Sequence, residues 1–453
     1  MHFVITYDAL RSWSRSIASL TLAILAVASP SAAQSPTPPS AVRDTLRLGP
    51  LLEAVERGNP RIEAARATAR AARARIPGAT RAPDPQLQLG LMNRELPNLR
   101  PMDLLGMTQI QVMQMVPVAG KLRLAGLAET ARADATDTRV LDASADLRAR
   151  GTMLFYDLYA TDGTLRVARD TRRLLQDIGE LAGKMYQVGE GRQVDVLRAN
   201  VEQARMQEDL IRMETMRTTM AARLSALIAA PIDAPVGVAV LPRFPSALPS
   251  LDSLQQLAER FRPMLRAGAQ DVNAAEASAR LAEVEIWPDL QVGVQLATQG
   301  GPTGPQRMGS LMVGAAIPIA AGTRQRQVRE ETGAMRAMAA AELAIMRAET
   351  RGAVAEAHSS LVRARRLTDL YRSSVLPQAA ATVASSLSAY RVGGVNFMTL
   401  LDAQMTLNRY RQELFTLEAD EGKAWAQLEM LTGRPLVDAH SAQPVRPAGE
   451  PLQ

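Results

Sequence analysis

The sequence contains an internal duplication, and no other feature constrains the fold as strongly. Four short segments recur in the same order at offsets of 201 to 204 residues. A series of this kind predicts two structural repeats, which we place at residues 51–250 and 251–433. The matched segments are 59–62 with 262–265, 85–90 with 288–293, 116–120 with 317–322, and 186–189 with 390–393.

The first 33 residues have the features of a secretory signal peptide. Arg11 and Arg15 precede an apolar run, and small residues at 31–33 provide a cleavage site. We therefore expect an exported protein; a short membrane anchor is the alternative interpretation of residues 1–33. Segments rich in proline predict an extended lead-in over 34–50 and a flexible tail over 434–453.

The amino-acid composition argues against several classes of functional site. Cysteine is absent, which excludes disulfides, thiolate metal sites and cysteine nucleophiles. The three histidines are far apart in sequence, and aromatic residues make up only 4% of the chain. Methionines that recur on one helical face are typical of core packing, so we predict no metal site. We expect no enzymatic activity, no cofactor and no nucleic-acid partner.

Each repeat has the same predicted order of elements: a leading helix, two short strands, a long helix and a returning helix. The strands are predicted where apolar and polar residues alternate, and the helices where proline is absent and helix-forming residues dominate. The lengths suggest that the leading and returning helices stack end to end along the long helix. The first repeat has helices at 51–76, 118–183 and 193–229 and strands at 86–91 and 109–112, with a possible bulge at 113–114; the second has helices at 251–286, 319–386 and 397–431 and strands at 290–296 and 311–315.

The strands carry glutamine or glycine on one face and leucine, valine or isoleucine on the other. This alternation fits either an exposed sheet that covers a core or a membrane barrel with a water-filled lumen. Four short strands cannot close a barrel, and an open sheet edge cannot lie in lipid. If the strands span a membrane, several copies of the chain must supply them.

The duplicated order of elements resembles the TolC-type outer-membrane efflux proteins over about residues 51–433. The motifs that carry the resemblance are Asn-Pro, Pro-x-Leu, Val-Pro-x-x-Gly and Tyr-x-Val-Gly, the last followed by Leu-x-Ala. The resemblance implies a mainly α fold with a small β part. Duplicated long helical hairpins would form a trimeric helical tunnel, and four strands per chain would contribute to a twelve-stranded outer-membrane barrel.

The resemblance also implies a function and a location. The chain would be the outer-membrane channel of a tripartite efflux or secretion system, with a long periplasmic extension. It would passively conduct substrates from a periplasmic adaptor and an inner-membrane pump to the exterior. The alternative is a periplasmic coiled-coil adaptor or scaffold, for which one hairpin flanked by small β domains would be expected.

The resemblance assigns roles to residues near the turns. Ordinary structural roles remain open for them: helix packing for the tyrosines, a turn for the glycines, and a helix N-terminal carboxylate for Asp195. The implied roles are pore constriction and selectivity for Asp195, Asp402, Tyr186 and Tyr390, and adaptor contact for Val188, Gly189, Val392 and Gly393. For the strands, the alternation and the need for closure predict that Gln86, Gln88, Gln291 and Gln295 face the barrel lumen.

Basic residues follow the Val-Pro-x-x-Gly element of the first repeat and its counterpart in the second. They are Lys121, Arg123, Arg324 and Arg326. Positive charge near a helix N-terminus opposes the helix dipole, which requires a compensating interaction. We expect these side chains to meet the phosphate headgroups of the inner leaflet, with solvated surface charge as the alternative.

Overall fold

The structure is a computed structural model that covers both predicted repeats. All the residues it describes belong to one of the two compact units of the chain, residues 39–453. The predicted signal peptide (1–33), residues 34–44 of the predicted lead-in and residues 441–453 of the predicted tail lie outside the described residues. The described residues are 45–95, 97–98, 100–101, 106–300, 304–317, 319 and 321–440.

Helices form most of the described chain, in the order that the duplication predicts. Each repeat has a leading pair of helices, a long helix and a returning helix. The first repeat contains α1 (Leu48–Gly58), α2 (Pro60–Thr80), α3 (Lys121–Gln187) and α4 (Gln193–Leu227). The second contains α5 (Leu251–Phe261), α6 (Pro263–Val284), α7 (Arg326–Leu370), α8 (Leu376–Arg391) and α9 (Phe397–Thr432), with π-helical turns at Ala321–Gln325 and Tyr371–Val375.

The leading helix of each repeat is two helices instead of the single one predicted. The break falls at Asn59 and at Arg262, each of which precedes a proline. Proline favours the first helical turn and pushes the preceding residue into an extended conformation, and both residues have ψ = 119°. The Asn59 Nδ2 also donates to the carbonyl oxygen of Leu227 at 2.7 Å, which ties this break to the end of α4.

The second long helix passes through Pro377 as predicted, with a local change of helix type. The N–H of Leu376 donates to the carbonyl oxygen of Tyr371, five residues earlier. Proline cannot donate a hydrogen bond and its ring crowds the preceding turn. A single wide turn between α7 and α8 therefore accommodates Pro377 without ending the helix.

The predicted lead-in is more ordered than expected at its C-terminal end. The strand β1 (Thr45–Leu46) pairs in parallel with a strand at Val238–Ala239, and α1 already begins at Leu48. Leu46 and Leu48 are both buried, so the burial of apolar side chains orders this segment. The prediction of an extended lead-in is therefore wrong for residues 48–50, which belong to α1.

The predicted flexible tail is also wrong for residues 434–440. The Glu429 Oε1 accepts hydrogen bonds from the N–H groups of Leu436 and Val437, at 2.7 and 2.8 Å. Val437 is buried in a hydrophobic cluster with Trp425. A half-buried carboxylate in α9 therefore fixes the chain that leaves the helix.

We expect the stability of the protein to depend on the charge of Glu429. Burial raises the pKa of this carboxyl above its usual range, and the two backbone hydrogen bonds only partly offset the effect. Stability from a group with a raised pKa is lost as the pH rises through the folded-state pKa. Glu429→Gln keeps the acceptor oxygen without the charge, so the melting temperature of this variant should rise relative to that of the wild type as the pH increases above the ordinary carboxyl pKa of 4.5.

Thermal unfolding followed by circular dichroism at several pH values measures this difference. Glu413→Gln, at an exposed position on the same helix, is the control, for which the difference should stay constant. A pH-independent difference for Glu429→Gln would contradict the assignment.

Four long strands form one antiparallel sheet within the described residues. They are longer than predicted, and their order in the sheet follows the chain. The register runs without interruption through Met113, which lies opposite Gly293, so the predicted bulge at 113–114 is wrong. The strands are β2 (Gln86–Met92), β5 (Met107–Val116), β7 (Leu290–Gln299) and β8 (Gln306–Ala315); the short strands are β3 (Arg94–Glu95), β4 (Arg100–Pro101) and β6 (Val238–Ala239).

The helices pack side by side in the same order as the strands. As predicted, α3 contacts α2 and α4 along its length. It also contacts α6 and α9 of the second repeat, which in turn contact α7 and α8. The layer therefore runs from α2 and α4 through α3 and then α6 and α9 to α7 and α8, which parallels the order β2, β5, β7, β8 in the sheet.

Candidate functional site

One face of the four-stranded sheet is apolar and exposed. The pairing aligns Leu89 with Ile110 and Leu296, and Val112 with Val294 and Leu311. These side chains belong to a continuous face, on which Leu89 is 73% exposed and Leu311 72% exposed. None of the described residues covers them, so the described part of the chain leaves open an apolar surface of unusual extent for a soluble protein. The other exposed members include Leu87, Leu91, Leu290, Val292 and Val313.

The opposite face of the sheet carries the predicted glutamines. The pairing places Gln88 in one row with Gln111 and Gln295, while Gln86 and Gln291 lie on the same face in neighbouring rows. The Gln295 Nε2 in β7 donates to the Oε1 of Gln109 in the neighbouring strand β5, at 2.5 Å. The structure therefore brings the four glutamines predicted for the lumen onto one polar face.

An ion pair joins the two repeats where the strands meet the helices. The Lys121 Nζ lies 2.7 Å from the Oδ1 of Asp289 and 2.6 Å from the carbonyl oxygen of Trp287, to both of which it donates. Its side chain is only 13% exposed. The predicted contact with lipid headgroups is therefore wrong for Lys121, whose charge is neutralised inside the protein. Arg123, Arg324 and Arg326 are exposed.

The turns that follow α3 and α8 have the same backbone geometry. In each turn the glycine N–H donates to the carbonyl oxygen of the tyrosine three residues earlier, at 3.1 Å. The φ angles of Gly189 and Gly393 are 79° and 71°, in the left-handed region that favours glycine. The preceding Val188 and Val392 are exposed. The turn geometry explains the glycines and presents both valines at the tips.

Tyr186 and Tyr390 occupy equivalent positions but have different surroundings. Tyr390 is 8% exposed, and its ring packs edge-on against Phe397 with the ring centroids 6.1 Å apart. Burial raises the pKa of Tyr390, and the negative charge of Asp195 adds to the effect. Tyr186 is exposed. Tyr390 thus belongs to the hydrophobic cluster that joins the two hairpins, whereas Tyr186 lies at their surface.

Asp195 and Asp402 both lie near the turns but are not equivalent in the duplication. At the offset of the turns, Asp195 corresponds to Thr399 and Asp402 corresponds to Arg198. Asp195 lies in the first turn of α4, which has no side-chain N-cap, so its charge stabilises the helix terminus. Asp402 is exposed in the second turn of α9, whose N-terminus is capped by Asn396. A helix-terminal role accounts for Asp195 but not for Asp402.

A groove of about 390 Å³ lies between α4 and α9, next to these turns. Its apolar wall consists of Val194, Leu197 and Val201 on α4, all exposed, together with Met398 and Leu401 on α9. The intervals of three and four residues along α4 are those of a coiled-coil seam. That spacing is the signal from which this second exposed surface could have been predicted.

In the part of the chain that the structure describes, no helix is long and apolar enough to cross a membrane. The same residues hold no group of three or more histidine or acidic side chains placed to bind a metal ion.

Comparison with known proteins gives one family match. A family model described as outer membrane efflux protein matches residues 51–230 and 254–434, well over half of the chain. The two matched stretches lie one in each repeat. No curated protein sequence matches significantly.

The chain is also similar to solved structures. The outer membrane protein VceC from Vibrio cholerae has a TM-score of 0.70 and 17% identity, covering 86% of this chain and 96% of that one. The CmeC outer membrane channel of Campylobacter jejuni has a TM-score of 0.72 and 12% identity, and the match covers 87% of this chain and 87% of that one. A membrane protein from Pseudomonas aeruginosa has a TM-score of 0.73 and 18% identity, and the match covers 85% of this chain and 93% of that one. The predicted fold class, long duplicated helical hairpins with a small β part, is confirmed.

Proposed function

The chain belongs to the outer membrane efflux protein family, and from this we propose that it is an outer-membrane channel that works as a homotrimer. It conducts substrates passively from a periplasmic adaptor and an inner-membrane pump to the exterior. The membrane is the outer membrane, and the helices extend into the periplasm. The family and the fold favour a channel over an enzyme and over an adaptor or scaffold.

The four-stranded sheet is the observation that carries the proposal. Three of its four long strands have 10 residues, which suits a tilted transmembrane strand. One face is apolar and exposed, and the opposite face carries glutamines, as in a membrane barrel with a wet lumen. The outer strands β2 and β8 each have one edge that is unpaired within the sheet. Such edges cannot lie in lipid, so another copy must pair with them.

Three copies satisfy this requirement and account for the helices as well. Twelve strands exceed the roughly eight that closure needs. When β8 of one copy pairs with β2 of the next, the parallel order of the helical layer brings α7 and α8 beside α2 and α4. The helices then close into a tunnel around the same axis.

The turns form the periplasmic end of this tunnel. We assign Val188, Gly189, Val392 and Gly393, with the apolar groove between α4 and α9, to adaptor contact. Their exposure and the coiled-coil spacing of the groove support a helical partner. Asp195, Asp402, Tyr186 and Tyr390 are assigned to the constriction.

Recordings from purified protein in planar lipid bilayers test the function. A trimer that inserts and gives stable unitary conductance steps is the expected result, with the trimer established by native mass spectrometry. Heat-denatured protein is the control and should give no steps. A well-folded protein that stays soluble without detergent and never inserts would overturn the channel and favour the scaffold.

The same recordings test the carboxylates. A trimer places six carboxylates near one axis, where charges closer than about 8 Å act together on a multivalent cation. We expect block by a trivalent cation from the periplasmic side to weaken in Asp402→Ala and further in Asp195→Ala/Asp402→Ala. Asp233→Ala, at an exposed position after α4, is the control and should keep wild-type block. Unchanged block in the double variant would show that these are ordinary surface charges.

A further inference from the structure

Glutamine and methionine supply most of the side chains on the polar face of the sheet. Among the described residues of the four long strands, no charged side chain lies on this face. The one charged residue of these strands is Arg307, which pairs with Thr298 and lies on the opposite, apolar face. Six methionines share this face with the glutamines. They are Met92, Met107, Met113, Met115, Met308 and Met312.

These methionines are not explained by core packing. Methionine usually fills gaps in a buried core, but Met92 is 48% exposed, and Met115 and Met308 are exposed as well. None of the six belongs to a hydrophobic cluster of the described residues. Apolar side chains on the wet face of a sheet gain little from burial, so core packing does not account for these six.

Two of the methionines converge over a glycine. Met113 in β5, Gly293 in β7 and Met312 in β8 lie side by side across three strands. A Cβ added at Gly293 would lie 3.0 Å from the Cγ of Met113 and 3.6 Å from the Cε of Met312. Both side chains therefore occupy the space above Gly293, which the absence of a side chain leaves open. A second pair, Met92 and Met107, lies directly opposite each other on neighbouring strands.

We propose that Met113 and Met312 form a binding site for a soft monovalent cation of the Ag⁺ or Cu⁺ type. Thioethers are soft, neutral ligands that prefer such ions to hard cations. The described residues of this face strengthen the preference, because none of them is a carboxylate that would attract hard cations or a lysine or arginine that would repel a cation. Gln86 lies directly opposite Met113 on the neighbouring strand, on the same face. The site rests on the proposed function in one respect, because it requires this face to be the wet one.

Titration calorimetry with silver nitrate in chloride-free buffer tests the site on the purified trimer in detergent. We expect Met113→Leu/Met312→Leu to bind Ag⁺ at least about tenfold more weakly than the wild type. Met213→Leu/Met216→Leu, which removes two thioethers from α4, is the matched control and should bind as the wild type does. Equal affinity in the two double variants would overturn the site.

A second measurement needs no substitution. Peroxide oxidises exposed methionines to sulfoxides, and a bound cation protects its ligands. Mass spectrometry of wild-type protein should show that Ag⁺ protects Met113 and Met312 but not Met216, while Mg²⁺ protects none of them. Equal oxidation with and without Ag⁺ would contradict the proposal. If the protein conducts but shows no protection, the cation site fails and the channel stands; if it never conducts, the channel itself fails.

Discussion

Leu89→Arg is expected to abolish assembly in the outer membrane, while Gln88→Arg on the same strand is tolerated. Leu89 is 73% exposed at the middle of β2 on the apolar face, in register with Ile110 and Leu296. An arginine on the lipid face costs about 2–4 kcal/mol at the bilayer midplane, and a trimer carries this cost three times. At position 88 the arginine would enter the wet lumen.

The amount of membrane-inserted trimer is measured for both variants. Outer membranes are separated from soluble fractions, and electrophoresis without heating preserves the trimers. The expected result is a strong loss of membrane-inserted trimer for Leu89→Arg and near wild-type amounts for Gln88→Arg. If both variants assemble equally well, the apolar face does not contact lipid.

Gly422→Ala is expected to lower the stability of the helical part by about 1–3 kcal/mol, the usual cost of overpacking. The helices α3 and α9 approach closely through two reciprocal contacts. A Cβ at Gly422 would lie 2.3 Å from the ring of Tyr156, and one at Gly163 would lie 2.4 Å from the ring of Phe415. Tyr156 is 1% exposed, so its ring is enclosed by neighbouring side chains.

Gly183→Ala is the matched control for these contacts. Gly183 also lies in α3, but a Cβ there would meet no atom within 4 Å. Alanine is the better helix former, so this variant should be about 0.5–1 kcal/mol more stable than the wild type. Chemical unfolding of the three proteins measures the difference. Effects of the same sign for Gly422→Ala and Gly183→Ala would exclude a role for close packing.

The order of the elements could be predicted because its signals are local or repeated. The alternation of leucine and glutamine around Leu89 fixed both the strand and its faces. The length of α3 followed from the absence of proline between residues 118 and 183. The order of these elements and their motifs predicted the family by resemblance, and the family match confirmed that prediction.

The remaining features depend on contacts between residues that are distant in sequence. Lys121 was expected to meet lipid, but it pairs with Asp289 of the second repeat, 168 residues away. The packing of α3 against α9 rests on Gly163 and Gly422, whose partners no local pattern identifies. The convergence of Met113 and Met312 depends on the strand register across both repeats. By contrast, the intervals of three and four residues between Val194, Leu197 and Val201 in α4 are a local pattern that the sequence itself contains.

The most direct test of the account is the accessibility of the two sheet faces in the membrane. The chain has no cysteine, so single cysteines can be introduced without a background. The positions are Gln86, Gln88, Gln291 and Gln295 on one face and Leu87, Leu89, Val292 and Val294 on the other. A water-soluble maleimide should label the four glutamine positions in native outer membranes and leave the four apolar positions unlabelled. Equal labelling of the two sets would contradict a membrane barrel with a glutamine-lined lumen.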